Sequence, residues 1–211
     1  MSCLNKTFFV VEDHTVTNIG LVQFVEQKTK LKCAGSAFSK SEAKEKLKAL
    51  VSDLTETDSK TSGPPELLIL DLFLGEESGL DLLREVRTDY PEIKILVYSM
   101  YAKPGILSLV LETGAHGFVE KSAPEPILIT AVKSILAGET FVQQNLVAPL
   151  ITYKTMFDGL TRQEQVVFKK LIERKNRSQI AKEMNIVERS LENYLSRIYM
   201  KTGCKNHEDL L

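Results

Sequence analysis

Cysteine and histidine are scarce in this chain, and neither residue type is clustered. The 211 residues include three cysteines and three histidines. No two cysteines form a CxxC pair, and the histidines are spread from one end of the chain to the other. This distribution indicates a reduced, cytoplasmic protein and gives no sign of a zinc site. The residues concerned are Cys3, Cys33, Cys204, His14, His116 and His207.

Long apolar runs and common enzyme signatures are also absent. No uncharged apolar run approaches the roughly 20 residues of a membrane span. The N-terminus reaches Glu12-Asp13 after only a short apolar stretch, which does not fit a signal peptide. The sequence has no Walker loop, no GxSxG, no HExxH and no internal repeat. We therefore expect a protein that does not bind membranes and is not a conventional enzyme.

The small net charge conceals a difference between the two parts of the chain. The formal net charge is -1. Residues 159–211 carry 11 basic and 7 acidic residues, a balance of +4, whereas residues 1–158 carry 16 and 21, a balance of -5. An acidic first part and a basic second part fit a metal-binding half and a polyanion-binding half. Ordinary surface variation explains the same difference equally well.

Apolar runs alternate with helical patterns as far as residue 138. This order predicts an α/β fold with a doubly wound, five-stranded parallel sheet and right-handed crossovers. The predicted strands are Thr7–Val11, Leu31–Ala34, Leu67–Leu70, Ile93–Tyr98 and Gly117–Val119. The predicted helices are Asn18–Lys28, Ser41–Leu54, Gly79–Arg87, Pro104–Glu112 and Pro124–Leu136.

Three segments follow from this pattern. Residues 1–138 form the predicted α/β domain, and the polar stretch 52–65 within it is a predicted surface loop. Residues 139–158 are a predicted linker with a short helix around 146–153. Residues 159–211 are dense in helix signals and form a predicted small all-α domain.

Polar residues follow four of the predicted strands. They are Glu12-Asp13, Asp71, Ser99 and Lys121. The carboxyl ends of parallel strands meet in one crevice, so an acidic cluster, a hydroxyl and an ammonium group should converge there. For any one residue a solvated strand end is the simpler interpretation, but four suitable residues at successive positions argue against it.

This set of side chains has the chemistry to hold Mg²⁺ and a phosphoryl group. Asp71 is the candidate nucleophile, because an aspartate can form an acyl phosphate. The predicted ligands of Mg²⁺ are Glu12, Asp13, Asp71 and the backbone carbonyl of Phe73. Lys121 and Ser99 are the predicted partners of the phosphate oxygens.

The tail has the spacing of a helix-turn-helix. Capping patterns at Thr161–Glu164 and Asn176–Gln179 open two helices, and a third is predicted over Glu188–Lys201. This arrangement can place a helix in the major groove, where Asn and Arg read base edges and Lys contacts phosphates. A small helical bundle with a solvated polar face fits the same spacing. The predicted DNA-contacting residues are Lys182, Arg189, Asn193, Ser196, Arg197, Lys201 and Lys205.

Four stretches of the first part resemble the response-regulator receiver family. They are VVEDH (10–14), LLILDLFLGEESGLDLL (67–83), KILVYSM (94–100) and GAHGFVEK (114–121). The resemblance implies the flavodoxin-like fold and phosphoryl transfer to Asp71 from a histidine kinase or phosphotransfer protein. It also implies that Phe118 is an aromatic switch, which turns inward when Ser99 moves toward the phosphate.

The stretch from Leu160 to Cys204 resembles the LuxR-type domain of the NarL/FixJ family. The resemblance implies a four-helix domain, a homodimer on double-stranded DNA, and a receiver that masks the recognition helix until it is phosphorylated. The predicted function is therefore transcription control by a two-component response regulator. The alternative is a signalling adaptor, in which the receiver switches dimerisation or protein binding without sequence-specific DNA binding.

Several positions depart from the family pattern. In the receiver, Gly75 replaces the usual proline and predicts a looser loop, and Met100 replaces a small residue and predicts restricted access to Asp71. In the tail, Glu192 stands where a basic residue is common; it repels phosphates, although a carboxylate can accept from a cytosine amino group. The other tail departures are Arg174 for glycine, Val187 for a Ser/Thr cap and Tyr194 for histidine.

Overall fold

The computed structural model describes residues 6–52, 63–173 and 175–203. Most of the predicted 52–65 loop lies outside these ranges, as do Arg174, Lys205, Cys3, Cys204 and His207. The described part contains eight strands: β1 Thr7–Val11, β2 Lys32–Ala37, β3 Leu67–Leu70, β4 Phe73–Leu74, β5 Glu77–Ser78, β6 Lys94–Ser99, β7 Gly117–Glu120 and β8 Phe141–Val142.

Nine helices are described. They are α1 Thr15–Lys28, α2 Lys40–Ser52, α3 Gly79–Asp89, α4 Pro104–Glu112, α5 Glu125–Leu136, α6 Gln144–Asp158, α7 Arg162–Ile172, α8 Arg177–Glu183 and α9 Glu188–Thr202. The chain divides into two compact units, one of the described residues up to Met100 with Val110–Gln143, the other of Tyr101–Leu109 with the described residues from Gln144 onward.

The first unit is built on a parallel sheet with the strand order β2-β1-β3-β6-β7-β8. Strands β1 and β3 are apolar and fully buried on both faces, as parallel strands covered by helices require. The strand order reverses direction at β1, because the chain moves first to β2 and then back across to β3. The α/β doubly wound fold is therefore confirmed.

The sheet has six strands where the sequence pattern predicts five. The additional strand is β8, in which Phe141 and Val142 pair in parallel with Gly117 and Phe118 of β7. A two-residue strand is too short to show a periodic pattern, so the sequence does not predict it. Its formation depends on pairing with β7. The helix α6 is also longer than the predicted helix around 146–153.

The segment after Asp71 is a tight hairpin. Strands β4 and β5 pair antiparallel, with Phe73 opposite Ser78 and Leu74 opposite Glu77. The two-residue turn between them places Gly75 at φ 65°. A positive φ at the first central position is the geometry that favours glycine in hairpin turns. Gly75 therefore lies at the turn position that favours glycine, and the looser loop predicted from the missing proline stays a prediction.

The helices of the second unit begin and end at recognisable caps. Thr161 and Glu164 form a reciprocal capping box at the start of α7. Asn176 accepts from the backbone N–H of Gln179 at the start of α8, and Asn185 after this helix has φ 54°. Val187 caps α9 without a side-chain hydrogen bond. Within the described ranges, no helix has the length and apolar character needed to cross a membrane.

Candidate functional site

The sheet brings the four predicted polar sites to one edge. Glu12 follows β1, Asp71 follows β3, Ser99 ends β6 and Lys121 follows β7. The strands are adjacent and in register, with Val11 opposite Leu70 and Leu70 opposite Val97. The sequence order of strand and polar residue therefore becomes a spatial cluster at the carboxyl ends of neighbouring strands.

Lys121 connects the carboxylates of this cluster. Its Nζ donates a 2.7 Å hydrogen bond to Oδ2 of Asp71 and also pairs with Oε2 of Glu12. The side chains of Lys121, Glu12 and Asp71 are 10%, 1% and 5% exposed. Burial by itself lowers the pKa of Lys121, but hydrogen bonds and charges from Asp71 and Glu12 outweigh it and raise the pKa. The ammonium is therefore a fixed positive charge between two buried carboxylates.

Two buried oxygen atoms in the cluster have no partner among the described residues. Oδ1 of Asp71 and Oγ of Ser99 are buried, and neither has a hydrogen-bond partner within the described part of the chain. Buried polar side-chain atoms are nearly always hydrogen-bonded, so each orphaned atom needs an explanation. A bound group with both acceptor and donor chemistry would satisfy the two atoms together.

Glu12 and Asp13 also form a cluster with His14. The ligand atoms of the three residues lie within 4.8 Å of one another. Nδ1 of His14 lies 3.2 Å from Oε1 of Glu12 and 2.8 Å from Oδ1 of Asp13. Carboxylate oxygens are ligands that Mg²⁺ prefers. The buried Oδ1 of Asp71 lies outside this group of three, at the end of the neighbouring strand β3, and has no hydrogen-bond partner among the described residues. The donor set at the strand ends therefore fits Mg²⁺.

The other predicted residues of the receiver lie next to these strand ends along the chain. Phe73 opens the hairpin two residues after Asp71. Phe118 is fully buried in β7, opposite Val97 of β6. Met100 is 60% exposed, so most of its side chain is in solvent. The structure thus places the predicted aromatic switch residue inside the core and Met100 largely outside it.

Sequence reasoning missed two residues that fix the backbone of the cluster. Asn18 is 1% exposed and donates from Nδ2 to the carbonyl oxygens of Glu12 and Ala37, each at 3.1 Å. At Gly79 an added Cβ would lie 2.2 Å from the carbonyl oxygen of Asp71. Only glycine allows α3 to begin against this carbonyl. Ser78-Gly79 before an amphipathic helix is a capping signal that could have identified Gly79.

In the tail, α9 separates a buried face from an exposed one. Leu191, Leu195 and Ile198 are buried. The predicted DNA-contacting residues on the other side are exposed, and Lys182 is exposed on α8; those on α9 are Arg189, Asn193, Ser196 and Arg197. The guanidinium of Arg197 lies 4.9 Å from the ring centroid of Tyr194, and its Nε donates to the carbonyl of Asn193.

Lys201 is exposed as well, but its ammonium already has a partner within the tail. Its Nζ donates to Oε2 of Glu164 at 2.6 Å, and the side chain of Glu164 is 2% exposed. Burial raises the pKa of Glu164, but hydrogen bonds from Lys201 and Thr161 outweigh it and bring the pKa to about 2. A DNA phosphate would therefore have to replace Glu164 as the partner of Lys201 before the predicted contact could form.

Two family models match the chain in succession. The model described as the response regulator receiver domain matches residues 8–133, and the model described as bacterial regulatory proteins, luxR family, matches residues 158–211. A receiver followed by a LuxR-type domain defines a class of two-part regulatory proteins. The chain belongs to the response regulators, and its pair of domains is that of the NarL/FixJ family.

Curated relatives match along nearly the whole chain. The transcriptional activator protein ExaE of Pseudomonas putida is 27% identical over 96% of this chain and 92% of its own length. The DNA-binding transcriptional activator DevR/DosR of Mycobacterium tuberculosis is 28% identical over 92% of this chain and 87% of its own length.

Solved structures have the same fold. RcsB from Salmonella enterica serovar Typhimurium, bound to a promoter in the presence of the phosphomimetic BeF3⁻, aligns with a TM-score of 0.67 at 23% identity, covering 98% of this chain and 96% of that chain. A LuxR-family response regulator from Aurantimonas aligns with a TM-score of 0.60 at 22% identity, covering 72% and 99%.

Proposed function

We propose that this protein is a response regulator whose Asp71 accepts a phosphoryl group from a histidine kinase or phosphotransfer protein. Phosphorylation controls the LuxR-type tail, which binds double-stranded DNA as a homodimer and regulates transcription. The relatives named as transcriptional activators and the RcsB structures with DNA support the output, and the receiver family supports the input. The scattered cysteines support a cytoplasmic location, and the family supports a regulator without substrate turnover of its own.

One observation carries the input half of this proposal. Asp71 is buried, with Oδ2 bound to Lys121 and Oδ1 without a partner among the residues that the structure describes. A carboxylate held in this way has one oxygen positioned by an ammonium and one free to react. In the transfer, Oδ1 of Asp71 forms a bond to phosphorus while the bond between phosphorus and the donor nitrogen breaks, and the departing imidazole keeps the electron pair.

The neighbouring side chains have separate tasks in this transfer. Lys121 compensates the negative charge that accumulates on the phosphate oxygens. Oγ of Ser99, which has no partner in the described part of the chain, donates to one of these oxygens. Glu12, Asp13, Asp71 and the carbonyl of Phe73 would hold Mg²⁺, which supplies further charge neutralisation when bound.

The proposed switch involves Ser99 and Phe118. Movement of Ser99 toward the phosphate changes the packing around Phe118, which is fully buried here. A phosphoryl group can shift the balance between two packings only if it makes different contacts in each, and the hydroxyl of Ser99 provides such a contact.

Replacement of Asp71 tests the input. Asp71→Asn should abolish phosphoryl uptake from a small donor such as acetyl phosphate, measured by electrophoresis in a phosphate-retarding gel. The matched control is Asp89→Asn, an exposed aspartate in α3. It should be labelled to the same extent as the unaltered protein. Stoichiometric labelling of Asp71→Asn would exclude Asp71 as the acceptor.

Selection of genomic DNA fragments by the full-length protein tests the output. We expect enrichment of an inverted-repeat motif, with stronger enrichment in the presence of beryllofluoride. Equal enrichment with and without beryllofluoride would keep DNA binding but remove phosphorylation control. Binding should weaken steeply with salt, because Lys and Arg neutralise DNA phosphates.

A second candidate function, the signalling adaptor, is favoured by Glu192. This exposed carboxylate lies on the same face of α9 as the predicted DNA contacts. In the adaptor, the receiver switches dimerisation or protein binding, and the tail binds no specific DNA sequence. Absence of any enriched motif, together with a phosphorylation-dependent change in oligomeric state, would favour this function over the first.

A further inference from the structure

Glu192 lies on the exposed face of α9, which is the predicted DNA-contact face. It is three residues after Arg189 and four before Ser196, so the three side chains lie on one side of α9. All three are exposed, and the opposite side of the helix is buried. If this face enters the major groove, the carboxylate of Glu192 enters with it.

The charge of Glu192 is compensated by a residue of the preceding helix. The guanidinium of Arg177, the first residue of α8, donates from one terminal nitrogen to Oε1 of Glu192 at 2.6 Å. The two side chains are 62% and 51% exposed. The described part of the chain provides no second partner for Glu192, which leaves Oε2 to accept a hydrogen bond from outside the protein.

A carboxylate oxygen accepts hydrogen bonds and cannot donate them, which restricts the bases it can read. In the major groove, cytosine presents an amino donor, whereas guanine presents only acceptors. Adenine also has an amino donor, but its N7 acceptor lies beside it and repels a carboxylate. A basic residue at the same position would instead favour guanine.

We propose that Glu192, with its charge compensated by Arg177, is a specificity-determining residue that accepts from the amino group of a cytosine in the target site. The inference rests on the proposed DNA-binding function. It adds a prediction about the target site, which should contain a cytosine at one position of each half-site. Arg177 is a positioning residue, because it holds the carboxylate and reduces its repulsion by the phosphates.

DNA selection with full-length variants tests the proposal. In the presence of beryllofluoride, the unaltered protein should enrich a motif with a fixed cytosine in each half-site. Glu192→Ala should keep the rest of the motif and lose this preference, by about 5- to 150-fold at that position, the range for one good base contact. Glu192→Lys should change the preference at that position to guanine. Unchanged base preferences in both variants would overturn the proposal and leave DNA binding intact.

A charge control separates base reading from simple repulsion. Glu188→Gln removes an exposed carboxylate one turn earlier on α9. It should strengthen binding to all sequences alike, because it reduces repulsion by phosphates, and should leave the base preferences unchanged. A loss of the cytosine preference in Glu188→Gln would overturn the assignment to Glu192.

Chemical modification of the base provides a second test. N4-methylcytosine at the selected position keeps its base pairing but fills the major-groove side of the amino group with a methyl group. It should weaken the unaltered protein about as much as Glu192→Ala does and have little effect on that variant. Equal weakening of both proteins would overturn the proposal. Absence of any motif with the unaltered protein, with a motif gained by Glu192→Lys, would overturn the DNA-binding function itself.

Discussion

Nζ of Lys121 lies 2.7 Å from Oδ2 of Asp71, and the same ammonium pairs with Glu12. One buried cation thus pairs with two buried carboxylates that follow different strands, which leaves one negative charge uncompensated within the trio. The hydrogen bond from Lys121 holds the carboxylate of the proposed phosphoacceptor in place without a bound ligand.

Replacement of Lys121 by methionine should therefore destabilise the receiver and make it more dependent on a divalent cation. Without its ammonium, Glu12 and Asp71 are uncompensated buried carboxylates, and breaking a buried pair costs about 3–5 kcal/mol. Thermal unfolding with and without Mg²⁺ measures the effect. The stabilisation by Mg²⁺ should be larger in Lys121→Met than in the unaltered protein.

The matched control is Lys6→Met, which removes an ion pair between the more exposed residues Lys6 and Glu66. Surface ion pairs contribute little, so this variant should unfold like the unaltered protein and show the same response to Mg²⁺. If Lys121→Met were no less stable than Lys6→Met, the compensation of Glu12 and Asp71 by the Lys121 ammonium would not contribute to stability.

The turn after the phosphoacceptor gives a prediction in backbone terms. Gly75 has φ 65°, and an added Cβ there meets nothing within 4 Å in the described part of the chain, so the penalty for another residue is conformational. Gly75→Ala should cost about 1–2 kcal/mol of unfolding free energy. Gly75→Pro should cost more, because the proline ring fixes φ near -65°. Urea denaturation of both variants measures the two values.

Replacement of Gly20 by alanine should have the opposite effect on the unfolding free energy. Gly20 lies inside α1 and has no positive φ, and no described residue lies within 4 Å of an added Cβ. Gly20→Ala should stabilise the protein by about 0.5–1 kcal/mol. If Gly75→Ala were stabilising like Gly20→Ala, the hairpin turn at Gly75 would not have the described geometry.

The contrast between Gly75 and Asp71 shows what the sequence alone could predict. Asp71 was predictable because a buried apolar strand ends directly before it, and strand ends converge in a parallel sheet. The role of Gly75 was not, because the sign of its φ depends on the pairing of Phe73 with Ser78 across the turn. The strand β8 could not be predicted for a similar reason, since its two residues form a strand through their pairing with β7.

The tail shows the same limit for long-range ion pairs. The helix periodicity identified the buried face of α9 correctly, because Leu191, Leu195 and Ile198 recur at helical spacing. Nothing in this spacing shows that Lys201 pairs with Glu164, a residue 37 positions earlier. The predicted phosphate contact of Lys201 came from its charge alone.

The pair of Glu164 with Lys201 predicts how the tail responds to acid. A carboxyl group whose pKa is about 2 when folded and 4.5 when unfolded contributes stability that is present above pH 4.5. This contribution is lost as the pH falls from 4.5 toward 2. The protection factors of the amides in α7 and α9, which are exchange rates corrected for the intrinsic pH dependence of exchange, should therefore fall in this range in the unaltered protein.

Two variants separate the charge of Glu164 from its capping role. Glu164→Gln keeps an acceptor for the backbone N–H of Thr161 but has no charge. The protection factors at neutral pH should therefore be moderately lower than in the unaltered protein and should lose the acid dependence that Glu164 causes. Glu164→Ala also loses the cap, which is worth about another 1 kcal/mol. Equal protection in the unaltered protein and in Glu164→Gln at neutral pH would show that the ion pair with Lys201 does not stabilise the tail.

His116 predicts a second pH dependence, in the receiver. Its Nδ1 accepts a 3.0 Å hydrogen bond from the backbone N–H of Ile95, which requires the neutral ring. Burial, with smaller effects from the positive charges of Arg87 and Lys94, lowers the pKa of His116 from 6.5. The folded protein therefore binds fewer protons than the unfolded chain, and the unfolding free energy should fall as the pH drops from 6.5 toward the lower folded pKa.

Urea denaturation at a series of pH values measures this contribution when two variants are compared. His116→Asn offers an amide oxygen to Ile95 and does not titrate, so its unfolding free energy should fall less steeply below pH 6.5 than that of the unaltered protein. His116→Ala leaves the backbone N–H of Ile95 unpaired and should be less stable at every pH, by about 1–3 kcal/mol. An identical pH dependence in His116→Asn and the unaltered protein would mean that His116 is not the group that titrates in this range.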